Sequence, residues 1–245
     1  MIGGRPRGGF LPPTRVGGGG SVSESFDPEL TTDYFDDVIS AANLACSVSG
    51  GSTVTYNPNV KTPFVGYAKI LNTTGDAISL YPNTAQNVAP GAGDPFWEIL
   101  GDFRVDFRVA IRMAAPSAAE DYRCQIGAHD GLNDVAAIAA GVFFRACWAD
   151  NGSSANWFAV SFDGSETAVD TGVAVVLNQL ITFRIDYDAA PTPTAKYYIN
   201  GTLVATITTD LPLAQWVSHA IQIQDVAGAN SEEVWLDWWR ARITR

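Results

Sequence analysis

An all-β sandwich or barrel is the fold class this sequence predicts, and three observations predict it. Strict alternation of apolar and polar residues recurs in segment after segment. Two-residue turn signals, Asp163-Gly164 and Asn200-Gly201, stand between such segments. Helical periodicity surfaces only once, and loosely, between Asp27 and Ala45. Many short strands with few helices pack as two sheets or close into a barrel.

The elements follow in order. Residues 1–21 form an arm: its first 20 residues hold eight Gly, three Pro and three Arg, and no acid precedes Glu24. Such a stretch has too little apolar surface to offset the entropy of ordering a glycine-rich backbone. "DPELTTDYFDDVISAANLA", with Asp27 as its N-cap, is the one predicted helix. "AQNVAPGAGDP" is a loop by its Gly and Pro content. "FRVDFRVAIRM" sends Phe103, Val105, Phe107, Val109, Ile111 and Met113 to one face and Arg104, Asp106, Arg108 and Arg112 to the other, which is a half-buried strand. "GVFFRACW" and "NWFAVSF" are aromatic-rich strands, and "LITFRIDYD" places Ile181, Phe183, Ile185 and Tyr187 on a core face. "AKYYINGTLVATI" is a hairpin turning at Asn200-Gly201, and "SEEVWLDWWRARI" is a closing strand, alternating or packed on both faces. The expected organisation is an arm, 1–21, and one sandwich domain, 22–245.

Composition narrows the class. The chain has 245 residues, 47% hydrophobic and 17% charged, enough for one large core. No run of 18 apolar residues is present, so no transmembrane helix is expected, and the N-terminus has no secretory h-region. Net charge is −11; the arm carries +3 through Arg5, Arg7 and Arg15, leaving −14 for the remainder. A body of that sign repels nucleic acid. Cys46, Cys124 and Cys147 lie far apart without metal-ligand spacing and read as buried thiols. The sequons at Asn72, Asn151 and Asn200 read as turn chemistry.

The order of "SVSGGSTVTYNPN", "FRVDFRVAI", "CQIGAHD", "GVFFR", "NWFAVSFDG", "ITFRIDYDA", "YYINGTLVATITTDLP" and "VWLDWWRARI" resembles the concanavalin A-like (LamG-like) jelly-roll sandwiches of bacteriophage structural proteins and carbohydrate-binding modules. The resemblance spans about residues 26–243. It implies a jelly-roll β-sandwich, and it leaves function open, because the fold hosts enzymes, lectins and scaffolds.

Catalytic patterns do not match. The resembling glucanases carry E-x-D-x-x-E on one strand, whereas Glu98, Asp102 and Asp106 are spaced by four, as are Glu233 and Asp237. His129, in a loop by composition, and His219 have no G-x-S-x-G partner, and Ser218 and His219, as strand neighbours, face opposite ways. No catalytic residue, no metal site and no required cofactor are expected, with calcium as an alternative in "HDGLNDV" or "WADNGSS". Trp148 and Trp216, near strand ends, are the candidate glycan contacts.

The arm supplies the leading functional expectation. Arg5, Arg7, Phe10, Leu11, Pro12, Pro13 and Arg15 are its docking residues, suited to an acidic neighbour, and "GGGGS" is its joint. A bacteriophage virion protein, decorating the head or forming a head fibre, fits this division between arm and body. Its partners would be the major capsid protein or other virion proteins and further copies of itself, with no nucleic acid and no membrane. The alternative is a tail appendage or a glycan-binding adhesion module that holds surface polysaccharide on the sandwich loops.

Overall fold

The computed structural model describes residues 31–36, 44–48, 52–57, 67–73, 77–82, 97–130 and 138–244. Among them are sixteen strands and no helix. The first six are β1 (Thr31–Asp36), β2 (Leu44–Val48), β3 (Thr53–Asn57), β4 (Tyr67–Asn72), β5 (Ala77–Pro82) and β6 (Trp97–Glu98). The middle of the chain gives β7 (Phe103–Ile111), β8 (Asp121–His129), β9 (Ala140–Ala146), β10 (Asn156–Asp163) and β11 (Glu166–Ala174). The last five are β12 (Gln179–Asp188), β13 (Thr194–Ile199), β14 (Thr202–Ile207), β15 (Trp216–Ala227) and β16 (Glu232–Thr244).

Two antiparallel sheets form the sandwich. The first runs β14-β13-β12-β7-β16-β4-β3, with β1 also paired to β16. The second runs β11-β10-β9-β8-β15-β5-β2, with β6 paired to β15. Consecutive strands therefore cross between sheets repeatedly, β7 to β8 and β15 to β16 among them, which is the jelly-roll pattern.

The expected alternation sets the core. Phe103, Val105, Phe107, Val109 and Ile111 of β7 point inward, as do Ile181, Phe183, Ile185 and Tyr187 of β12. Facing them from the second sheet are Cys124 and Ile126 of β8, Phe144 of β9 and Trp157 of β10. Aromatic rings join the sheets: Phe183 lies 4.7 Å from both Phe144 and Trp157, and Tyr197 meets Phe144 edge-on at 5.3 Å. Each such ring contributes about 1.5–3 kcal/mol by burial, and edge-on pairs add to that. The Tyr197 hydroxyl donates to the Val160 carbonyl at 2.7 Å, so its polar end is paired across the sandwich.

The closing strand is neither purely alternating nor packed on both faces throughout. Val234 and Leu236 point inward on even numbers, then Trp239, Ala241 and Ile243 on odd ones. A β-bulge between Leu236 and Trp238 absorbs the change of parity.

The hairpin at Asn200-Gly201 forms as expected, with both residues at positive φ (50° and 80°) and Ile199 opposite Thr202. At the other turn the loop is Gly164-Ser165, one residue later than Asp163-Gly164, because Asp163 completes β10 and Gly164 takes the positive φ. The helix expected over Asp27–Ala45 is corrected. Its described parts are strands β1 and β2, paired to β16 and β5. "TTDYFD" is β-branched and aromatic, and a strand partner outweighs a loose helical period. The other correction concerns His129, which is the last residue of β8 and not a loop residue. The arm residues Arg5, Arg7, Phe10, Leu11, Pro12, Pro13 and Arg15 lie outside the described residues.

Candidate functional site

The outer face of the second sheet departs from an ordinary solvated sheet face. On β8 the even residues Tyr122, Cys124, Ile126 and Ala128 point to the core, so Arg123, Gln125, Gly127 and His129 point outward. A sheet face turned to water normally exposes its polar residues. Here Gln125 (4% exposed), His129, Gln222 and Arg145 are buried, together with Phe143.

Strand register aligns these side chains in three rungs. Gln125 stands opposite Arg145 of β9 and Gln222 of β15. Gly127 stands opposite Phe143 and Ala220, and His129 opposite Gly141 and Ser218. The middle rung is low on the β8 side because Gly127 has no side chain. A Cβ there would lie 2.7 Å from Phe143 Cβ, and one on Gly141 would lie 2.6 Å from His129 Cβ. The His129 ring meets Phe143 edge-on at 5.8 Å.

Beside the rungs is a depression of about 380 Å³, lined by Gln125, Phe143, Arg145, Phe162, Arg123 and Glu166 among others. Its two cations are held in place. Arg145 donates from Nη1 to Glu166 Oε2 at 2.5 Å and from Nη2 to Glu166 Oε1 at 2.9 Å. Its Nε donates to Asn151 Oδ1 at 3.0 Å and its Nη2 also to the Asp150 carbonyl at 3.3 Å. Arg123 donates from Nε to Asp150 Oδ2 at 2.5 Å and from Nη1 to Gln224 Oε1 at 2.9 Å. Burial by itself would raise the Asp150 carboxyl, but the hydrogen bond and charge of Arg123, then the charge of Arg145, hold it below the usual carboxylate range.

The neutral groups are less occupied. Among the described residues, Gln125 Oε1 and both ring nitrogens of His129 have no hydrogen-bond partner. Burial lowers His129 to about 4, so at neutral pH its imidazole offers one donor and one acceptor. An unpaired buried polar group costs about 1–3 kcal/mol.

The two tryptophans expected to contact glycan are not brought together. Trp216 is 53% exposed and precedes Ser218 by two residues, on the same face as His129. Trp148 is half-buried at the other end of β8, where its backbone N–H donates to Asp121 at 2.6 Å. The length of β8, roughly 26 Å, separates those ends.

Gln125, Phe143, Arg145 and Phe162 were missed as site residues by the sequence reading. Their signals were Gln125 and His129 at four-residue spacing on one strand, and Arg145 inside an otherwise apolar strand.

The remaining candidates fall elsewhere. Glu233 pairs with Lys69 at 2.5 Å and Asp237 with Arg108 at 3.3 Å, both on the first sheet. Asp102 accepts the Ala189 N–H at 2.8 Å. His219 points into the core, 4.7 Å from the Trp239 ring, and Ser218 points outward, as neighbours on a strand must. In the calcium-candidate loops, Asp130 accepts the N–H groups of Ala139 and Ala140, and Asp150 is held by Arg123. No cluster of three His, Cys, Asp or Glu able to hold a metal occurs among the described residues. Cys124 and Cys147 are buried thiols outside any disulfide, and burial pushes Cys147 up to about 12.

No protein-family model matches this chain, and no curated protein matches it in sequence. Solved structures do match. The Emp47p carbohydrate-recognition domain superposes with a TM-score of 0.56 at 12% identity, over 88% of this chain and 98% of that one. The endo-β-1,4-glucuronan lyase of the fungus Trichoderma reesei gives 0.57 at 10% identity, over 85% and 94%. The potassium-bound Emp46p carbohydrate-recognition domain gives 0.54 at 8%, over 84% and 91%. The likeness is one of fold. The chain is an all-β jelly-roll sandwich, and the outer-face rungs are its own feature.

Proposed function

We propose that this protein is a glycan-binding module, and that saccharide lies on the outer face of the second sheet across β8, β9 and β15. One observation carries the reading: an open depression on rigid strands joins the half-buried ring of Phe162 to the planar polar side chains of Gln125, Arg123 and Glu166. Sugars present C–H faces to aromatic rings and hydroxyl pairs to planar polar groups; Phe162 offers the ring and the rim carboxylate of Glu166 the planar polar group. The volume of about 380 Å³ falls within the range of small-ligand sites. Trp216 extends the same face toward one end. A binding role suits the site better than hydrolysis, because the acids Glu233 and Asp237 are held in ion pairs on the other sheet.

A glycan array followed by calorimetry tests this. Gln125→Ala and Phe162→Ala should each weaken binding at least tenfold while thermal unfolding stays close to wild type. Absence of binding to any glycan at millimolar concentration overturns it.

The virion reading is a second and compatible proposal. It is supported by the charge contrast between the arm, at +3, and the body, at −14. Removal of residues 1–20 should abolish incorporation into particles; undiminished incorporation removes the anchoring role.

A further inference from the structure

The depression holds two positive charges, and each is already paired with a carboxylate. Arg145 commits four N–H directions to Glu166, Asn151 and the Asp150 carbonyl. A guanidinium has five, so little remains for a ligand. Arg123 is bound to Asp150 and Gln224. The two guanidinium groups and the two carboxylates, Asp150 and Glu166, cancel in charge. The carboxylates are also the more exposed members: Glu166 is 36% exposed and Arg145 4%. An approaching ligand therefore meets the negative partner first.

The flank reinforces this sign. Asp170, opposite Phe158 on the outer face of β11, is exposed, and neither β10 nor β11 carries a Lys or Arg. His129, the other titratable group on the rungs, is neutral at physiological pH because burial lowers it. What the depression leaves for recognition beside its ion pairs is uncharged: the half-buried ring of Phe162 and the edge of Gln125.

We infer that the site selects neutral saccharides and rejects their uronate, sialylated or sulfated counterparts. This rests on the glycan-binding reading above and adds the charge class of the ligand. An anionic sugar has two routes to a favourable contact, and both are costly. It can displace Glu166 or Asp150 from its arginine, leaving a carboxylate unpaired, or it can sit beside them and be repelled. A neutral sugar packs on the Phe162 ring and leaves the ion pairs intact. The fold neighbour that is a glucuronan lyase shows that this jelly roll also serves a uronate polymer. The charge of the ligand is set by side chains on the sheet, not by the fold.

The test uses the full chain and matched oligosaccharide pairs differing only at the carboxylate: cello-oligosaccharide with oligoglucuronan, galactan with oligogalacturonan, and mannan with oligomannuronate. At low ionic strength the neutral member of the recognised pair should bind at least tenfold tighter. The gap should narrow as salt is raised, because the rim carboxylates are screened. Asp150→Asn should lower the ratio of neutral to uronate affinity at least threefold. Should that variant unfold, Asp170→Asn at an exposed outer-face position gives a smaller change of the same sign. Preference for the uronate member in any pair overturns the selectivity while leaving the glycan-binding reading in place. Binding of neither member of all three pairs, nor of any arrayed glycan, overturns both.

Discussion

Arg145 and Glu166 face each other through two parallel contacts, at 2.5 and 2.9 Å, with the guanidinium 4% and the carboxylate 36% exposed. The cation is inside the outer face of the sheet and its anion sits at the rim. Removing the anion strands a buried charge, whereas removing the cation frees a carboxylate to water. Glu166→Gln should therefore destabilise the fold by roughly 1–3 kcal/mol, less than a fully buried pair because Glu166 keeps solvent contact. Arg145→Met, which removes the charge but keeps the stem, should cost no more than the Glu166 change. Urea unfolding of both variants measures this, and an inert Glu166→Gln would show that the pair is not structurally important.

Glycine is required where the rungs approach most closely. A Cβ on Gly141 would lie 2.6 Å from His129 Cβ and 2.9 Å from the Ala128 carbonyl. Gly141→Ala must push β8 and β9 apart, at a cost of about 1–3 kcal/mol. The same displacement shifts His129 against Phe143, so saccharide affinity should fall more than stability alone explains. Calorimetry on the folded variant separates the two effects.

The sheets, the core faces of β7 and β12 and the Asn200-Gly201 hairpin were legible because period-two alternation reports one buried face directly. The face that holds the site was not legible in the same way. Both faces of β8 and β9 are largely buried, so alternation there carries no contrast, and "GVFFRACW" reads as packed strand throughout. Gln125 and Arg145 meet only through register across strands separated in sequence, which a single chain does not display. Trp148 and Trp216 drew notice as large aromatics near turns, yet sequence distance from a strand end says nothing about which end of the sandwich that is. The parity change in β16 was present in "VWLDWWRARI", where apolar residues move from even to odd positions, and it marks the bulge.

Buried neutral imidazoles make this fold sensitive to acid. His129 and His219 are fully buried, which lowers them to about 4 and about 3. An unfolded histidine titrates near ~6.5. Below that pH the unfolded chain binds protons that the folded chain refuses. Each histidine then withdraws about 1.4 kcal/mol per pH unit until its folded value is reached. Asp150, held below its ordinary value, acts in the same direction at lower pH. Asp106 and Glu232, raised by burial, oppose it, because the folded chain takes their protons first. Urea midpoints at pH 7.5, 6.5 and 5.5 should fall in the last interval, and His129→Gln should reduce that fall. Equal midpoints at all three values would mean that the histidines are protonated in the folded state.

The two exposed-end tryptophans should behave differently when removed. Trp148 sits in the turn that Asp121 caps through two backbone N–H groups, those of Trp148 and Ala149. Its side chain is half-buried, so Trp148→Ala should lower stability by about 1–2 kcal/mol and alter binding little. Trp216 is 53% exposed and supports no such turn, so Trp216→Ala should change stability by less than about 0.5 kcal/mol. It stands six residues before Gln222 along β15, roughly 20 Å from the Gln125 rung. A short saccharide held at Gln125 does not reach it, whereas a long one lying along the strand does. Affinity for short oligosaccharides should therefore be unchanged in Trp216→Ala, and affinity for long ones should fall by about tenfold. Equal losses for short and long ligands would place the sugar at Trp216 itself and move the binding site away from the Gln125 rung.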